Sequence, residues 1–223
     1  MTTRRNPLAT AVVVAVQDAS LAKSRLGAHL DTGSRRSLVI AMLDDVLTAV
    51  REAHRGLVMV VSADPVYDAV AREHHVEVIR DQATGYNAAV TLALEHLRDR
   101  AASVVVLPGD LPQLHPVDVT TLIEAVERPG LSRVVLAAST DGGTAALGLR
   151  PLDVISTAFG EDSAQRHREA CATAAATLVE LDLDSLRVDV DTLEDLATVW
   201  AQVGEATTGL IEHLTVVTPG SPA

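Results

Sequence analysis

Three aspartates stand where metal chemistry could take place. Asp110 directly follows a buried strand-like run, and Asp189 and Asp191 form an alternating pair around Val190. If Val190 points inward, its two neighbours project the same way, because alternate residues of an extended chain share a face. Carboxylates aimed at one point repel each other unless a cation lies between them, and Mg²⁺ prefers oxygen ligands. The pattern therefore predicts a site for a divalent metal.

The same aspartates have a purely structural alternative. Asp110 could cap the turn after its strand, and Asp191 could be the N-cap of the next helix, with Glu194 completing a capping box. Capping and metal binding are compatible for neighbouring residues, so the sequence leaves both roles open.

Two segments could bind a nucleotide. Lys23 and Arg25 lie in the polar loop after the first predicted strand, where two bases could hold a triphosphate or simply form a solvated face. Gly85 and Asn87 lie at the start of a predicted helix, whose free N–H groups can bind an anion. Asn87 could pair with a purine edge, or it or Thr84 could be a plain helix cap.

Two later segments could bind a phosphorylated substrate. Gly142 and Gly143 form a hairpin turn signal, but they could also let the backbone approach a phosphate, with a hydrogen bond from Thr144. Further along, a flexible loop, a hydroxyl and a basic cluster come together at a helix start, which suits a phosphate-bearing acceptor. The alternative is an exposed amphipathic helix, and His167 alone is a weak signal for a general base. The residues of this second segment are Gly160, Ser163, Arg166, His167 and Arg168.

These residues must be positioned by a sheet. Apolar runs of strand length predict strands at 9–16, 56–63, 76–79, 103–108, 133–139 and 177–183, and one more strand follows the glycine turn within 139–151. Helical patterns fall at 34–53, after Asp64, from 84 to 100, at 116–127, within 159–171 and finally up to Val203. This alternation predicts an α/β fold with a mostly parallel (mixed) sheet and helices on both faces. Such sheets bind ligands at the carboxyl ends of their strands.

Composition narrows the class of protein. The 223 residues suit a single domain, which we place at 1–214, with a disordered tail at 215–223. The net charge of −12 argues against a nucleic-acid partner. Cys171 is the only cysteine, so there is no intrachain disulfide. No apolar run approaches the ~20 residues of a membrane helix, and we expect a cytoplasmic protein. Motifs of dinucleotide dehydrogenases, P-loop NTPases and serine hydrolases are absent.

The order of these segments resembles one family, the 2-phospho-L-lactate / phosphoenolpyruvate guanylyltransferases of coenzyme F-420 biosynthesis. The similarity covers about residues 11 to 200, and its most specific part is the FG-x-x-S-x-x-RH and DVDT-x-x-DL pair that follows GDLP and GGTA. The matching stretches are VVVAV, AKSRL, GYNAAV, VVVLPGDLPQL, DGGTAALGLRP, FGEDSAQRH and RVDVDTLEDL. The resemblance implies a compact GT-A nucleotidyltransferase-like fold. It also implies transfer of GMP from GTP to a phosphorylated three-carbon acid, with release of pyrophosphate.

The resemblance also implies three sets of site residues, with Mg²⁺ as the cofactor. The metal-binding and catalytic carboxylates fall on Asp110, Asp189 and Asp191. The nucleotide contacts fall on Lys23, which is also expected to be catalytic, and on Arg25, Gly85, Asn87, Pro108 and Asp110. The contacts to the phosphate and carboxylate of the acceptor fall on Thr144, Gly160 and Ser163.

Some alternatives remain open at this point. Gln17 and Asp18 stand where the family often carries a lysine, which removes a positive charge near the triphosphate and leaves Lys23 to supply it. The sequence is compatible with another base or acceptor specificity, with a non-catalytic nucleotide-binding homologue, and with a monomer or a homodimer.

Overall fold

The computed structural model describes residues 9–16, 30–82, 85–130, 132–188, 190 and 192–217. Its strands are β1 (Thr10–Ala15), β2 (Val58–Val61), β3 (Glu77–Ile79), β4 (Ser103–Pro108), β5 (Arg133–Ala138), β6 (Thr144–Arg150) and β7 (Thr177–Glu180). Its helices are α1 (Thr32–Ala53), α2 (Asp68–Glu73), α3 (Tyr86–Leu97), α4 (Pro116–Glu127), α5 (Ser163–Thr173), α6 (Leu193–Val199) and α7 (Glu205–Val217). Short 3-10 turns lie at Pro65–Tyr67, Asp184–Leu186 and Trp200–Gln202.

The seven strands form one sheet in the order β3-β2-β1-β4-β6-β5-β7. Strand β1 pairs in parallel with β2 and β4, β2 with β3, and β5 with β7. Strand β6 is antiparallel to both of its neighbours, β4 and β5. The predicted mostly parallel, mixed sheet is therefore confirmed. Because β6 runs against β4, Thr144 at its start lies at the same edge of the sheet as Pro108 at the end of β4.

Helices cover both faces of the sheet. Alternate residues of β1 belong to different apolar clusters: Val12 and Val14 pack with α1 and α4, and Ala11 and Val13 pack with α3 and α5. All four are fully buried. Burial on both faces explains why the central strands are continuous runs of small aliphatic residues. Within the described ranges, every helix is too short or too polar to span a bilayer.

The helix starts show which local signals were interpreted correctly. Asp64, after which a helical pattern was predicted, is an N-cap, and its carboxylate accepts a hydrogen bond from the N–H of Val66 at 2.9 Å. Asp191, the N-cap of the structural alternative with Glu194, lies outside the described residues, and the capping box that the structure describes lies one residue further along. Helix α6 begins after Thr192, whose hydroxyl accepts from the Asp195 N–H at 3.1 Å, and the Asp195 carboxylate accepts from the Thr192 N–H at 2.7 Å. This reciprocal pair forms the box.

Helix α7 was not predicted. The last helix was expected to end at Val203, but α6 ends at Val199 and α7 runs to Val217, beyond the expected domain end at 214; residues 218–223 lie outside the described part. Its β-branched residues and Gly209 are weak helix formers. The helix is stabilised by packing on α1 and by Asp45 of α1, whose carboxylate accepts from the N–H groups of Ala206 and Thr207 at 2.9 and 3.0 Å.

Candidate active site

The turn after β4 presents Asp110 at the carboxyl edge of the sheet. Gly109 is buried and donates its N–H to the carbonyl of Ala15 at 3.1 Å. A Cβ atom at Gly109 would lie 2.1 Å from Cγ1 of Val16. The residue before Asp110 must therefore be a glycine, since a side chain would have no room. Asp110, the next residue, is half-buried.

Tyr86 brings the start of α3 to Asp110. Burial, and to a lesser degree the negative charge of Asp110, raise the pKa of the Tyr86 hydroxyl. The hydroxyl oxygen is buried and has no hydrogen-bond partner within the described part of the chain. A phenol next to a carboxylate, without a partner of its own, is a donor that a ligand at this edge could use.

Asn87 clamps the loop that precedes α5. Its Nδ2 donates to the carbonyl of Phe159 at 3.0 Å, and its Oδ1 accepts from the Phe159 N–H at 2.8 Å. The Phe159 ring contacts Tyr86 edge-on, with the ring centroids 5.0 Å apart. A bidentate pairing of Asn87 with a purine edge would require this clamp to open. The helix cap is Gly85, with a φ of 108° and no side-chain hydrogen bond, so Asn87 is not the plain cap that was the alternative.

Thr144 lies at the centre of a buried hydrogen-bond network. Its Oγ1 is 3.0 Å from Nδ1 of His167 and accepts from Oγ of Ser163 at 2.9 Å. The Nε2 of His167 accepts from the N–H of Ala158 at 2.9 Å. The network joins the first residue of β6, the first turn of α5 and the loop that leads into it. Two of the three expected acceptor contacts, Thr144 and Ser163, are therefore in direct contact.

His167 is a buried structural residue. Its side chain is fully buried, and burial, assisted by the charge of Arg166, lowers its pKa from 6.5 to about 4. The imidazole is therefore neutral at pH 7. Because Nε2 already accepts a backbone N–H, His167 has no basic nitrogen available to a substrate, and a role as general base does not fit.

Two glycine turns surround this network. Gly142 and Gly160 have φ angles of 86° and 118°, in the region that glycine adopts most readily. The carbonyl of Gly142 accepts the N–H of Ala164 at 3.2 Å, which ties the β5–β6 hairpin to α5. Asp141 closes the hairpin through Oδ1, which accepts from the Gly143 N–H at 2.9 Å. The hairpin interpretation of the glycine pair is confirmed, and the exposed Gly160 is left facing solvent.

The predicted basic cluster on α5 does not form one anion site. Arg166 directs Nε and Nη2 at the carbonyl of Ala158, at 3.2 and 2.9 Å. Arg168 forms an ion pair with Glu180 at the end of β7. Adjacent positions of a helix point in different directions. The two arginines and the neutral His167 between them therefore make separate contacts.

The segment before Asp189 is held against the Asp110 turn. The Nε2 of Gln113 donates to the carbonyl of Val188, and the N–H of Thr140 donates to the carbonyl of Arg187 at 3.0 Å. Val190 is fully buried in the core, which is the inward orientation that the paired-carboxylate hypothesis requires.

Several predicted site residues lie outside the described residues. They are Lys23, Thr84, Arg25, Asp189 and Asp191. Among the residues that are described, no group of three or more His, Cys, Asp or Glu side chains could hold a metal ion. The described site residues form two groups, one of Asp110, Pro108 and the helix start at Gly85, and the other the hydrogen-bond network of Thr144, Ser163 and His167.

The fold defines the class of protein. A Desulfovibrio desulfuricans protein classed as a nucleotide-diphospho-sugar transferase superposes with a TM-score of 0.75 at 15% identity, over 93% of this chain and 95% of that chain. A cytidylyltransferase from Leptospira borgpetersenii superposes with a TM-score of 0.58 at 14% identity, over 97% and 99% of the two chains. The chain has the fold of the α/β nucleotidyltransferases.

The particular family follows from sequence. The chain belongs to the guanylyl transferase CofC-like family, whose model matches residues 10–214. It is 36% identical over 192 residues to the phosphoenolpyruvate guanylyltransferase of Sphaerobacter thermophilus, covering 85% of this chain and 91% of that protein. It is 35% identical over 193 residues to the enzyme of the same name from Rubrobacter xylanophilus, covering 86% and 94%. The resemblance inferred from the motifs is confirmed.

Sequence reasoning missed three contributors to the site. They are the buried Tyr86 hydroxyl, the Gln113 amide, whose partner Val188 is 75 residues away, and the bond from the Ala158 N–H to His167, which spans 9 residues. The sequence carried a signal for His167. A histidine near the start of a helix can form hydrogen bonds with backbone groups of the loop that precedes the helix.

Proposed function

We propose that the protein transfers GMP from GTP to phosphoenolpyruvate, with release of pyrophosphate, as a step of coenzyme F-420 biosynthesis. The observation that carries the proposal is the convergence of Asp110 and the Thr144–Ser163 pair at one edge of a nucleotidyltransferase sheet. The names of the relatives support guanine as the base and phosphoenolpyruvate as the acceptor. Another phosphorylated three-carbon acid, 2-phospho-L-lactate, is the alternative acceptor.

The reaction that we propose forms one bond and breaks one. A phosphate oxygen of the acceptor attacks the α-phosphorus of GTP, and the bond between the α-phosphorus and its bridging oxygen to the β-phosphate breaks. The electron pair leaves with pyrophosphate. The attacking phosphate is already anionic, so no general base is needed, in keeping with a neutral, fully bonded His167. Repulsion between the anions is the main barrier, and fixed positive groups and positioning lower it.

The acceptor is held by the network at the start of β6 and α5. Thr144 supplies a partly exposed hydroxyl group, Ser163 hydrogen-bonds this hydroxyl from the buried side, and Gly160 supplies an exposed backbone with no side chain in the way. The N-terminus of α5 adds the partial positive charge of its free N–H groups. These groups suit an oxyanion.

The carboxylates are proposed to hold Mg²⁺. Asp110 fits this role because it is a half-buried oxygen donor at the carboxyl edge. Asp189 and Asp191 complete the proposed set, and the anchoring of Val188 and Val190 on either side of Asp189 supports their delivery to this edge. The metal, when bound, would offset the charge of the phosphates.

The nucleotide is proposed to lie between the end of β4 and the start of α3. Pro108 and Gly85 border this space at the carboxyl edge. Lys23 and Arg25 would neutralise the triphosphate. A guanine contact by Asn87 would require its clamp on Phe159 to open on binding.

Asp110→Asn tests the carboxylate. We expect kcat/KM for GTP-dependent pyrophosphate release with phosphoenolpyruvate to fall by about a hundredfold or more, because a neutral amide is a poor ligand for Mg²⁺. Exposed Asp99, beyond α3 at the opposite edge of the sheet, gives the matched control Asp99→Asn, which should behave as wild type. Near-wild-type turnover of Asp110→Asn with unchanged metal dependence would reject the role.

A product screen by mass spectrometry with four nucleoside triphosphates and three phosphorylated acids tests the specificity. The phosphoanhydride that joins GMP to the phosphate of phosphoenolpyruvate should dominate. A dominant product with another base would indicate a different nucleotidyltransferase. Binding of GTP without any product would indicate a non-catalytic homologue.

A further inference from the structure

We infer that His167 is a positioning residue that makes the Thr144 hydroxyl an obligatory hydrogen-bond donor, which favours a carboxylate or phosphate oxygen of the substrate over a group that must itself donate. The inference rests on the proposed function for the identity of the acceptor. The hydrogen-bond network itself stands on the geometry of the described residues alone.

The first step is the tautomer of His167. The backbone N–H of Ala158 points at Nε2 at 2.9 Å, so Nε2 carries no proton. A neutral imidazole has one N–H, which must then lie on Nδ1. Nδ1 is 3.0 Å from Oγ1 of Thr144. His167 is therefore the donor in this bond, and Thr144 is the acceptor.

The second step is a count of protons on the two hydroxyls. Oγ of Ser163 donates to Oγ1 of Thr144 at 2.9 Å. A hydroxyl oxygen has two acceptor positions, and both positions on Thr144 are now occupied, one by His167 and one by Ser163. The remaining proton of Thr144 can only be donated outward.

The third step is access. Ser163 and His167 are fully buried, whereas Thr144 is partly exposed at the carboxyl edge of the sheet. Of the three side chains, Thr144 alone can reach a ligand in solvent, and it does so as a donor. It therefore favours a carboxylate or phosphate oxygen over a group that must itself donate a hydrogen.

The same histidine connects this donor to the loop before α5. Its Nε2 holds Ala158, the carbonyl of Ala158 binds Arg166, and the next residue, Phe159, is clamped by Asn87 and contacts the His167 ring at 5.3 Å between centroids. Gly160 follows directly. The position of Thr144 is thus coupled to that of the glycine backbone on the other side of the acceptor.

Two substitutions of His167 separate its two bonds. In His167→Gln the side-chain amide can reach the position of Nε2 and keep the bond to Ala158, but the bond to Thr144 is lost. In His167→Asn the shorter amide can replace Nδ1 and keep the bond to Thr144. We expect His167→Gln to raise KM for phosphoenolpyruvate by up to about tenfold, because the Thr144 hydroxyl is no longer held as a donor to a charged group, with KM for GTP unchanged. His167→Asn should raise KM for phosphoenolpyruvate less.

A double-mutant cycle with Thr144→Val tests whether His167 acts through Thr144. Thr144→Val alone should raise KM for phosphoenolpyruvate about tenfold, and Thr144→Ser, which keeps the hydroxyl, is the matched control. Adding His167→Gln to Thr144→Val should then have little further effect, because the hydroxyl that His167 positions is gone. Effects that multiply, or equal changes in both KM values, would overturn the inference.

A measurement on the wild type separates this inference from the proposed function. NMR of the imidazole nitrogens at pH 7 should show His167 neutral, with its proton on Nδ1. If no acceptor gives turnover, the proposed function fails while this result still supports the network. A protonated ring, or a proton on Nε2, would overturn the network whatever the enzyme turns over.

Discussion

At the scale of single residues, the polar groups of the candidate site differ in their exposure. Asp110 and Thr144 are open to the carboxyl edge, whereas His167 and Ser163 are fully buried behind them. Tyr86 differs from both kinds, since its hydroxyl is buried at the site and yet has no hydrogen-bond partner among the described residues. A buried, unpaired polar group costs free energy of folding, which is acceptable where a ligand later supplies the partner.

Tyr86→Phe should therefore stabilise the free protein. Removing the unpaired hydroxyl should raise the free energy of unfolding by about 1 kcal/mol, while the ring contact with Phe159 is kept. Urea denaturation of the variant and of wild type measures the change. Tyr67→Phe is the matched control, because the buried Tyr67 is not among the residues with an unpaired hydroxyl and has an interaction partner. A loss of stability in Tyr86→Phe would contradict the unpaired state.

At the scale of elements, α7 supports the turn that carries Asp110. Asp45 of α1 accepts the N–H groups of Ala206 and Thr207, and a Cβ at Gly204 would lie 2.2 Å from its Oδ1. The N–H of Gly204 donates to the carbonyl of Pro112 at 2.8 Å. The Asp45 carboxylate of α1 thus caps α7. Gly204, directly before α7, holds Pro112, which lies two residues after Asp110.

Asp45→Ala should detach the start of α7. The free energy of unfolding should fall by about 2 kcal/mol, because a helix cap is lost and two N–H groups, one buried and one partly buried, lose their acceptor. Asp45→Asn keeps one acceptor oxygen and should cost less. Chemical denaturation of both variants, with the exposed Asp99→Ala as control, tests the order. Equal stability of Asp45→Ala and Asp99→Ala would show that α7 does not depend on this cap.

At the scale of the whole molecule, the carboxyl edge of the sheet and the opposite edge carry different kinds of polar contact. The carboxyl edge carries the polar groups of the site. Near the amino end of β2, the guanidinium of Arg51 donates to the carbonyls of His74, Gly56 and His75 at 2.9, 3.0 and 2.6 Å and joins α1 to the loops there. Burial lowers the pKa of the Arg51 guanidinium, which nevertheless stays charged at neutral pH.

The global stability should decrease in mild acid because of His167. Its pKa is about 4 in the folded protein and 6.5 in an unperturbed histidine. Between these values the unfolded state binds more protons, so stability is lost as pH falls from 6.5 to 4, by on the order of 3 kcal/mol. The nearby charge is that of Arg166, and the contacting groups of Thr144, Ser163 and Phe159 are uncharged.

The comparison with His167→Gln isolates this contribution. Burial raises the pKa of Asp45, whose protonation in acid opposes the loss, but that effect is common to both proteins. Denaturation of wild type and variant at several pH values should show the smaller acid loss in His167→Gln. Parallel curves would contradict a buried neutral His167.

The sequence by itself determined the fold class and the family. Strand Ser103–Pro108 and helix Pro116–Glu127 have the bounds that their apolar patterns predict. A strand buried on both faces is a continuous apolar run, and a helix buried on one face has apolar residues three to four positions apart, so both are visible in the local sequence. The motifs around Asp110, Thr144 and Ser163 were enough to place the chain in its family.

Only the tertiary structure decided which side chains serve the site. Asp45 is separated by 161 residues from the helix that it caps, Asn87 by 72 residues from Phe159, and Gln113 by 75 residues from Val188. The pKa of His167, and hence its neutral, bond-holding role, comes from burial by neighbours that no local pattern reveals. Hydrogen bonding and desolvation depend on which groups are neighbours in space. The sequence determines those neighbours only through the complete fold, so no local pattern predicts them.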